Sequence, residues 1–363
     1  MAAQRVIITA GGTGGHLYPA QALAQQLAKL KVPAEVLFIA GGLASTRHFD
    51  RKRFAYREIA SSPLLSRNPL KTLKGGVNLF RGFAQSVRHL KNFRPDVVVG
   101  FGSYYTIPIL LAARWLKIPI VLHEANSIPG RANQWLAPFA DYVGVNFPYT
   151  ASFFKGKTKV VGLPLREGFQ LEAVTKAEAL TYFGLSDKKK TLLICGGSQG
   201  ARSINKLIEN CMQAIKKLGL QCIHLTGNPM EAEVLSSLYA SRGISSCVKP
   251  FESRMQMAWR AADAFVGRSG ASTIVESIEF EVPGILIPYP HATDRHQDKN
   301  AEFLVNEIRS GKMYLEPNLD PETLGRAIEE LFRDKDHNDS LQAIKAYKKR
   351  PHQLTLCELV SNL

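Results

Sequence analysis

The stretch that decides the fold is Val6-Ile7-Ile8-Thr9-Ala10-Gly11-Gly12-Thr13-Gly14-Gly15-His16, an apolar β-branched run followed by a glycine-rich turn. The residues after it, Leu17 to Ala24, are typical of a helix. Four glycines between a strand and a helix allow a tight turn and close approach of a ligand to the backbone. Because a new helix presents unpaired N–H groups and the positive end of its dipole, this turn predicts an anion site, most naturally for phosphate.

His16 is the only titratable side chain of the turn, and the ordinary pKa of histidine suits proton transfer near neutrality. Two plainer roles stay open: the turn as simple packing between strand and helix, and His16 as a capping or structural residue. The spacing matches neither the P-loop, which needs Gly-Lys-Ser/Thr, nor G-x-G-x-x-G.

Length and charge limit the class of protein. At 363 residues the chain exceeds one typical core, so we expect two domains. The formal charge of +15 favours an anionic partner, which is a nucleic acid, an acidic lipid or a phosphorylated substrate. Nucleic acid is disfavoured because no RNP, helix-turn-helix or zinc-finger signature is present.

The cysteines and the apolar stretches indicate a cytoplasmic protein. The five cysteines form no C-x-x-C pair, which argues against a disulfide framework or zinc site and for a reducing compartment. The N-terminus lacks the apolar region of a signal peptide. The most apolar stretch, Tyr104 to Leu122, is interrupted by Pro108 and Arg114, so we expect any membrane contact to be peripheral.

Strand and helix patterns alternate along the chain, which is typical of βαβ units around a parallel sheet. At Thr191–Cys195 the pattern restarts, and Gly196-Gly197-Ser198-Gln199-Gly200 repeats the glycine turn. The fold prediction is α/β: two tandem Rossmann-like doubly wound domains, 1–164 and 165–345, with a substrate cleft between them. A C-terminal helix at about 346–363 is expected to pack back on the first domain. Helices are also predicted over Leu171–Phe183 and Pro321–Phe332. The predicted strands are Arg5–Thr9, Ala34–Ile39, Val97–Val99, Ile120–His123, Tyr142–Val145, Lys159–Val161, Thr191–Cys195, Gln221–Leu225, Ser246–Pro250, Ala264–Val266, Gly284–Pro288 and Lys312–Leu315.

A basic, apolar stretch lies between Glu58 and Asp96, an interval without acidic residues. Cations alternate with apolar residues at helical spacing, which fits an amphipathic helix on an anionic bilayer. In the simpler interpretation, the apolar residues of this helix pack into the protein core and the cations lie on its solvent-exposed face. The residues predicted to face the membrane are Leu73, Val77, Phe80, Arg81, Phe83, Arg88 and Lys91.

Two polar clusters follow strands of the second domain. In Arg268-Ser269-Gly270-Ala271-Ser272-Thr273-Ile274-Val275-Glu276 a helix begins after a tight turn, and Glu276 lies about one turn into it. A carboxylate at this position can accept hydrogen bonds from the two hydroxyls of a ribose. The alternative is a structural role, in which it compensates the helix dipole. His291 to Ala301 suits recognition of sugar hydroxyls or is an ordinary solvated loop. A metal site is disfavoured there, since no i, i+4 His pair supports one.

These motifs together resemble the MurG family of GT-B glycosyltransferases. The resemblance rests on five ordered segments, which span about Arg5 to Ala301. The segments are Gly11-Gly12-Thr13-Gly14-Gly15-His16, His123-Glu124-Ala125-Asn126, Gly196-Gly197-Ser198-Gln199-Gly200-Ala201, Arg268-Ser269-Gly270-Ala271 and Asp294-Arg295-His296-Gln297.

The resemblance implies transfer of N-acetylglucosamine (GlcNAc) from UDP-GlcNAc to the C4 hydroxyl of the muramoyl sugar of undecaprenyl-pyrophosphoryl-MurNAc-pentapeptide. This inverting step converts lipid I to lipid II in peptidoglycan synthesis, and hence serves cell-wall growth, cell shape and cell division. It implies no cofactor or structural metal, and a place on the cytoplasmic face of the inner membrane. Other cell-wall synthesis proteins are candidate partners. The residues implied to bind the donor are Thr13, Gly14, Gly15, Asn126, Arg166, Ser198, Glu252 (mainly through backbone), Ala271, Ser272, Thr273, Ile274, Val275, Glu276 and Gln297.

The resemblance leaves the general base open between His16 and Glu124. Three departures from the family pattern bear on the site. Leu163 stands where the family commonly has Asn, Ser103 replaces a common glycine, and His296 stands where glutamine is frequent. The alternative functions are another GT-B transferase that forms a glycolipid and, less favoured, a nucleotide-dependent oxidoreductase.

Overall fold

The computed structural model describes residues 3–62, 69–197, 200–351 and 354–363, and for residues 69–74 it describes the backbone alone. The chain divides into two compact units. Unit 1 is Met1–Glu167 with His352–Leu363, and unit 2 is Gly168–Pro351. The division therefore falls after Glu167, close to the boundary near Leu165 that the sequence predicts, and the end of the chain belongs to unit 1.

The described part of unit 1 forms a seven-stranded parallel sheet in the order β3-β2-β1-β4-β5-β6-β7. The strands are β1 (Arg5–Thr9), β2 (Glu35–Ala40), β3 (Tyr56–Glu58), β4 (Val97–Gly100), β5 (Ile120–Glu124), β6 (Tyr142–Val145) and β7 (Thr158–Val160). The helices are α1 (Gly14–Leu27), α2 (Pro69–Phe93), α3 (Ile107–Trp115), α4 (Arg131–Leu136) and, from the end of the chain, α13 (Leu356–Ser361).

Alternate residues of the central strands of unit 1 face two apolar layers. Val6 and Ile8 pack into a core with α1 and α13, whereas Ile7 packs into a second core with α3. Because both faces of the sheet are covered, the sequences of its central strands are continuous apolar, β-branched runs and do not alternate between apolar and polar residues. Helix α13 is held by burial of its apolar residues and by a hydrogen bond of 2.9 Å from Gln4 Nε2 to the Val360 carbonyl oxygen.

The described part of unit 2 forms a six-stranded parallel sheet in the order β10-β9-β8-β11-β12-β13. The strands are β8 (Thr191–Cys195), β9 (Gln221–Leu225), β10 (Ser246–Lys249), β11 (Ala264–Gly267), β12 (Gly284–Leu286) and β13 (Lys312–Met313). The helices are α5 (Lys176–Phe183), α6 (Arg202–Lys217), α7 (Pro229–Ser241), α8 (Met255–Ala261), α9 (Ala271–Glu279), α10 (His296–Glu302), α11 (Pro321–Phe332) and α12 (Asp334–Lys348).

Both units are doubly wound, which confirms the predicted fold class. In each sheet the strand order reverses beside the first strand, between β1 and β4 in unit 1 and between β8 and β11 in unit 2. In open α/β sheets, ligands bind outside the carboxyl ends of the strands at this reversal point. Both glycine turns lie there, since one follows β1 and the other follows β8.

Candidate active site

The first glycine turn joins β1 to α1 and is closely packed. A Cβ atom at Gly11 would lie 2.5 Å from Cβ of Tyr105, so only glycine fits beneath this tyrosine. Gly12 has φ +85°, a left-handed conformation that glycine adopts without strain. Thr13 precedes α1 in extended conformation and, like Gly15, is exposed. The turn therefore presents the N-terminal N–H groups of α1 to solvent, as an anion site requires.

His16 lies in the first turn of α1 and is half-buried. Its backbone N–H donates to the Thr13 carbonyl oxygen over 3.2 Å, which is part of the helix start. The imidazole is near His123, because the charge of His16 is one of the causes that lower the pKa of His123. A titratable ring thus stands at the edge of the predicted anion site.

His123 is a residue to which the sequence interpretation assigned no role. It ends β5 next to Glu124, is buried, and its ring contacts Phe101 with centroids 5.2 Å apart. Nε2 lies 2.8 Å from the Gly162 carbonyl oxygen, which only accepts, so this nitrogen carries the proton. Burial lowers the pKa of His123 to about 4, although the bond to Gly162 raises it, so the ring is neutral at physiological pH.

Glu124 is buried, and both of its carboxylate oxygens accept hydrogen bonds from the following loop. Oε1 accepts from the backbone N–H of Asn126 over 2.9 Å and from its side-chain Nδ2 over 3.5 Å. Oε2 accepts from the Gly130 N–H over 3.0 Å and from Asn133 Nδ2 over 2.8 Å. The carboxylate therefore holds the loop that carries Asn126 and connects it to α4.

Arg166 lies beside the first glycine turn. Its guanidinium stacks over the ring of Tyr18, 4.4 Å from the centroid, and the Tyr18 hydroxyl bonds His48 Nδ1 over 3.0 Å. Tyr18 also lies against Gly14, where a Cβ atom would be 2.7 Å from its Cε2. Arg166, which the family resemblance implies to bind the donor, is thus held next to the start of α1.

One of the three departures from the family pattern, Leu163, has a structural explanation. Leu163 is buried and lines a small pocket with Val161, Pro164 and Leu356, so an apolar residue suits this place. Ser103 has φ 76° and ψ 150°, a conformation that favours glycine. The third departure, His296, begins α10 and bonds the Thr293 carbonyl oxygen through Nδ1 over 2.8 Å.

The second glycine turn precedes α6, as the sequence predicts, and Ser198 within it lies outside the described residues. A Cβ atom at Gly200 would lie 2.2 Å from the Thr226 carbonyl oxygen, so the turn packs directly on the end of β9. Asn205 of α6 donates to that same carbonyl oxygen over 3.0 Å and accepts from His224 Nε2 over 3.0 Å. Burial lowers the pKa of His224 to about 3, and this neutral network fixes α6 against the turn.

The segment after β11 connects the second glycine turn to α9. Arg268 is buried and donates to Ser203 of α6 over 3.0 Å and to the Ile287 and Pro288 carbonyl oxygens over 3.1 Å each. It also pairs with Glu316 over 2.5 Å. The starts of α6 and α9 are therefore joined through one guanidinium.

Glu276 is the sixth residue of α9 and is half-buried. Compensation of the helix dipole is strongest in the first turn of a helix, and Glu276 lies beyond that turn. Burial and, to a smaller extent, the charge of Glu276 raise the pKa of the Cys195 thiol to about 12. The carboxylate thus lies near the end of β8, where the second glycine turn begins.

Gln297 lies in the first turn of α10 and is tied to the same region. Its Oε1 accepts from the Tyr289 N–H over 2.9 Å, and its carbonyl oxygen accepts from the Ser269 hydroxyl over 2.8 Å. The side-chain NH2 is then the part of Gln297 that can donate to a ligand. Within the described ranges, no three His, Cys, Asp or Glu side chains converge as a metal site requires.

The carboxylate of Glu252 is occupied by its own surroundings. It is buried and accepts from Lys249 Nζ over 2.8 Å, from the Arg254 N–H over 2.8 Å, and from the Tyr182 hydroxyl over 3.2 Å. These donors outweigh burial and lower the pKa of Glu252. Only its backbone remains suited to a ligand.

The predicted membrane face of α2 is partly core. Val77 and Phe80 are 52% and 74% exposed, whereas Phe83 is half-buried and packs on the Trp115 ring at 5.9 Å. Phe83 therefore serves packing of α2 on α3, in line with the simpler interpretation. The cations Arg81, Arg88 and Lys91 are exposed, and the side chain of Leu73 lies outside the described residues. In the described part of the chain no helix has both the length and the apolar character to cross a bilayer.

Comparison with known families and structures identifies the fold and the enzyme class. Residues 6–145 match the glycosyltransferase family 28 N-terminal domain, and residues 191–354 match the glycosyltransferase family 28 C-terminal domain. The alignment with the crystal structure of Acinetobacter baumannii MurG covers 99% of this chain and 100% of that one. The TM-score is 0.76 and the sequence identity is 26%. A UDP-glucose:anthocyanidin 3-O-glucosyltransferase in complex with UDP shares the fold at 16% identity, TM-score 0.67 and full coverage of both chains.

Sequence relatives narrow the family further. A Protochlamydia amoebophila protein is 55% identical over 98% of this chain and 95% of its own length. A Chlamydia felis protein is 33% identical over 94% of each chain. Both bear the name UDP-N-acetylglucosamine–N-acetylmuramyl-(pentapeptide) pyrophosphoryl-undecaprenol N-acetylglucosamine transferase. The chain is therefore a glycosyltransferase of family 28 and belongs to the family of these N-acetylglucosamine transferases.

Proposed function

We propose that the chain transfers GlcNAc from UDP-GlcNAc to the C4 hydroxyl of MurNAc in undecaprenyl-pyrophosphoryl-MurNAc-pentapeptide, converting lipid I to lipid II. The observation that carries this proposal is the 55% identity over nearly the whole chain to a relative named for that donor and acceptor. The two glycine turns at the reversal points of the sheets support it, because each offers a backbone anion site.

Unit 2 binds the donor in this proposal. Glu276 accepts from the ribose hydroxyls, and the first turn of α9 (Ala271, Ser272, Thr273, Ile274 and Val275) offers backbone N–H groups to phosphate. Gln297 donates to the sugar through its amide, and Ser198 of the second glycine turn contacts the diphosphate. The peptide backbone at Glu252 contacts the base, since the carboxylate is engaged by Lys249 and Tyr182.

Unit 1 supplies the reacting groups. Thr13, Gly14 and Gly15 lie at the N-terminus of α1, and Arg166 is stacked beside it on Tyr18. These groups and Asn126 contact the donor. Dipoles and cations aimed at a leaving phosphate stabilise the charge that develops on it in the transition state.

His16 is the general base of the proposed reaction. The C4 oxygen of the acceptor attacks C1 of GlcNAc, the bond from C1 to the β-phosphate oxygen breaks, and UDP leaves with the bonding electrons. His16 takes the proton of the attacking hydroxyl. Because this hydroxyl attacks the face of C1 opposite the leaving UDP, the displacement inverts the anomeric centre. Glu124 is the weaker candidate, because its oxygens already accept three hydrogen bonds from the following loop and one from Asn133 of α4.

Docking on the cytoplasmic face of the membrane brings unit 1 to its lipid-linked acceptor. The exposed Phe80 and Val77 insert at the interface, and Arg81, Arg88 and Lys91 pair with anionic headgroups. Each such cation contributes about 1 kcal/mol near an anionic surface. The enzyme is then peripheral and its membrane binding is reversible.

The deciding experiment incubates the protein with UDP-GlcNAc and a soluble lipid I analogue and measures UDP release and the disaccharide product. We expect UDP release that requires both substrates, with little activity on UDP-glucose. Release with other lipid acceptors but none with the lipid I analogue would favour a different glycolipid-forming transferase. Binding of NAD in place of UDP would favour the oxidoreductase.

A further inference from the structure

The indole of Trp259 donates a hydrogen bond to Glu276. Nε1 of Trp259 on α8 lies 2.7 Å from Oε2 of Glu276 on α9. Trp259 is 1% exposed, so its N–H has no access to water and needs a protein partner. That partner is the Glu276 carboxylate, which in the proposed function accepts hydrogen bonds from the ribose hydroxyls.

We propose that Trp259 is a positioning residue for donor recognition, which orients the Glu276 carboxylate before the nucleotide binds. This inference rests on the proposed function of Glu276. A carboxylate has about four acceptor positions on its two oxygens, so the bond from the indole does not use up its capacity to accept from a diol. The indole selects one rotamer of Glu276, and the ligand does not have to impose that order when it binds.

Trp259 is suited to this role because it is itself immobile. Its ring packs edge-to-face on Phe265 of β11, with centroids 5.1 Å apart and planes at 80°. Phe265 is fully buried in the central part of the sheet of unit 2. The sheet therefore fixes the indole, and the indole in turn restricts the rotamers of the half-buried Glu276 carboxylate.

The proposal makes a prediction specific to hydroxyl groups. If the bond serves ribose recognition, its loss weakens binding of UDP but hardly affects 2′,3′-dideoxy-UDP, which has no hydroxyl for Glu276 to accept from. A merely structural role of Trp259 weakens both nucleotides alike. The ratio of the two dissociation constants therefore separates positioning from general damage.

The test compares the full-length protein with Trp259→Phe, which keeps a ring and removes the N–H. We expect the preference for UDP over dideoxy-UDP to fall about tenfold, as loss of a hydrogen bond to a charged group predicts. The KM for UDP-GlcNAc should rise by a similar factor with kcat little changed. An unchanged ratio, or equal weakening of both nucleotides, overturns the proposal.

Phe265→Leu is the matched control. It opens a comparable space against Trp259 but leaves the indole N–H in place, so we expect lower thermal stability and a much smaller fall in the nucleotide ratio than in Trp259→Phe. A ratio that falls equally in this variant shows that packing, not the hydrogen bond, is responsible, and it overturns the proposal.

A second measurement applies to the unaltered Trp259, in case Trp259→Phe does not fold. The three indole N–H resonances of the chain are assigned in protein labelled with 15N-tryptophan by means of Trp115→Phe and Trp135→Phe, since both of these residues are exposed. Saturation with UDP should shift the Trp259 resonance, and dideoxy-UDP should shift it much less. Equal shifts with both nucleotides, or none with UDP, overturn the proposal.

The wild-type titrations distinguish failure of the inference from failure of the proposed function. A wild-type protein that binds neither nucleotide contradicts the proposed function and the inference together. A wild-type protein that prefers UDP, with the preference intact in Trp259→Phe, contradicts only the inference.

Discussion

Nδ2 of Asn133 donates a hydrogen bond of 2.8 Å to Oε2 of Glu124, and both residues are buried. This bond joins the end of β5 to α4. Together with the bonds from Asn126 and Gly130, it uses both carboxylate oxygens within one short loop. A general base needs a lone pair directed at the acceptor hydroxyl. Glu124 is therefore expected to shape the loop, not to take the proton.

The first prediction is that Asn133→Ala reproduces most of the effect of Glu124→Ala. Both should lower kcat and the melting temperature, and the double variant should lose little more than either one, because the two residues form one unit. The pH profile of kcat should keep its shape in both. A loss confined to Glu124→Ala, with the acidic limb of the profile abolished, contradicts this assignment.

The second prediction concerns His16, which lies in the first turn of α1. His16→Ala should lower kcat about 10²- to 10⁴-fold, the usual contribution of a general base, while the affinity for UDP-GlcNAc stays close to wild type. Single-turnover kinetics and a binding titration measure the two effects separately. A variant with the wild-type rate removes His16 from the chemistry.

The third prediction is that Ser103→Gly stabilises unit 1. At φ 76° and ψ 150° a residue with a Cβ atom is strained, at a cost of about 1–3 kcal/mol, whereas glycine adopts this conformation readily. Urea unfolding should show a higher free energy of unfolding for the glycine variant. Ser103→Ala is the control, because it keeps the Cβ atom and removes only the hydroxyl. Equal stabilisation by alanine would assign the effect to the hydroxyl instead.

The fourth prediction is a loss of stability in mild acid. Burial lowers the folded-state pKa of His123 to about 4 and that of His224 to about 3, against an ordinary value of 6.5. Between these values the unfolded chain binds more protons than the folded one, so stability falls as the pH falls below about 6.5. At pH 5 each histidine should cost about 2 kcal/mol.

Urea titrations at pH 7.5 and pH 5 measure this loss. His123→Gln should reduce the pH-dependent difference for unit 1, and His224→Gln should do so for unit 2, whatever each does to stability at neutral pH. The quantity to compare is the change in the free energy of unfolding between pH 7.5 and pH 5. If it is the same in the wild type and in both variants, the buried histidines are not its source.

Much of the secondary structure is predictable from local sequence. The patterns predict Arg5–Thr9, Thr191–Cys195 and Pro321–Phe332 with their observed bounds, because apolar runs or helix periodicity end at glycine, charge or proline signals. One predicted helix, Leu171–Phe183, is wrong in its first part. Thr175 and Glu178 form a capping box there, which starts α5 at Lys176. That Thr-x-x-Glu signal was available in the sequence.

The site was predictable as a set of motifs but not as a set of contacts. Glycine turns and the helix after Gly270 follow from residue type and spacing, because local backbone geometry determines them. The bond from Trp259 to Glu276 and the burial of the Glu252 carboxylate depend on how separate elements pack. The short edge strand β3 was likewise missed, since its polar residues Tyr56–Glu58 carry no strand pattern.

The fifth prediction concerns the membrane. Reversing Arg81, Arg88 and Lys91 to Glu should weaken sedimentation with phosphatidylglycerol-containing vesicles by at least about a hundredfold, from about 1 kcal/mol for each cation removed. Phe80 is 74% exposed on the same helix, so Phe80→Ser should weaken binding to these vesicles while leaving its dependence on anionic lipid intact. Undiminished binding of the reversed variant contradicts docking through α2.

The control must change the net charge equally without touching α2. Lys188, Lys189 and Lys349 are exposed residues of unit 2, so their triple reversal to Glu alters the charge of the protein by the same amount. We expect this variant to keep most of its vesicle binding, because it leaves the cations and the exposed apolar residues of α2 in place. Equal loss in both triple variants would mean that net charge, not a docking face on α2, governs attachment.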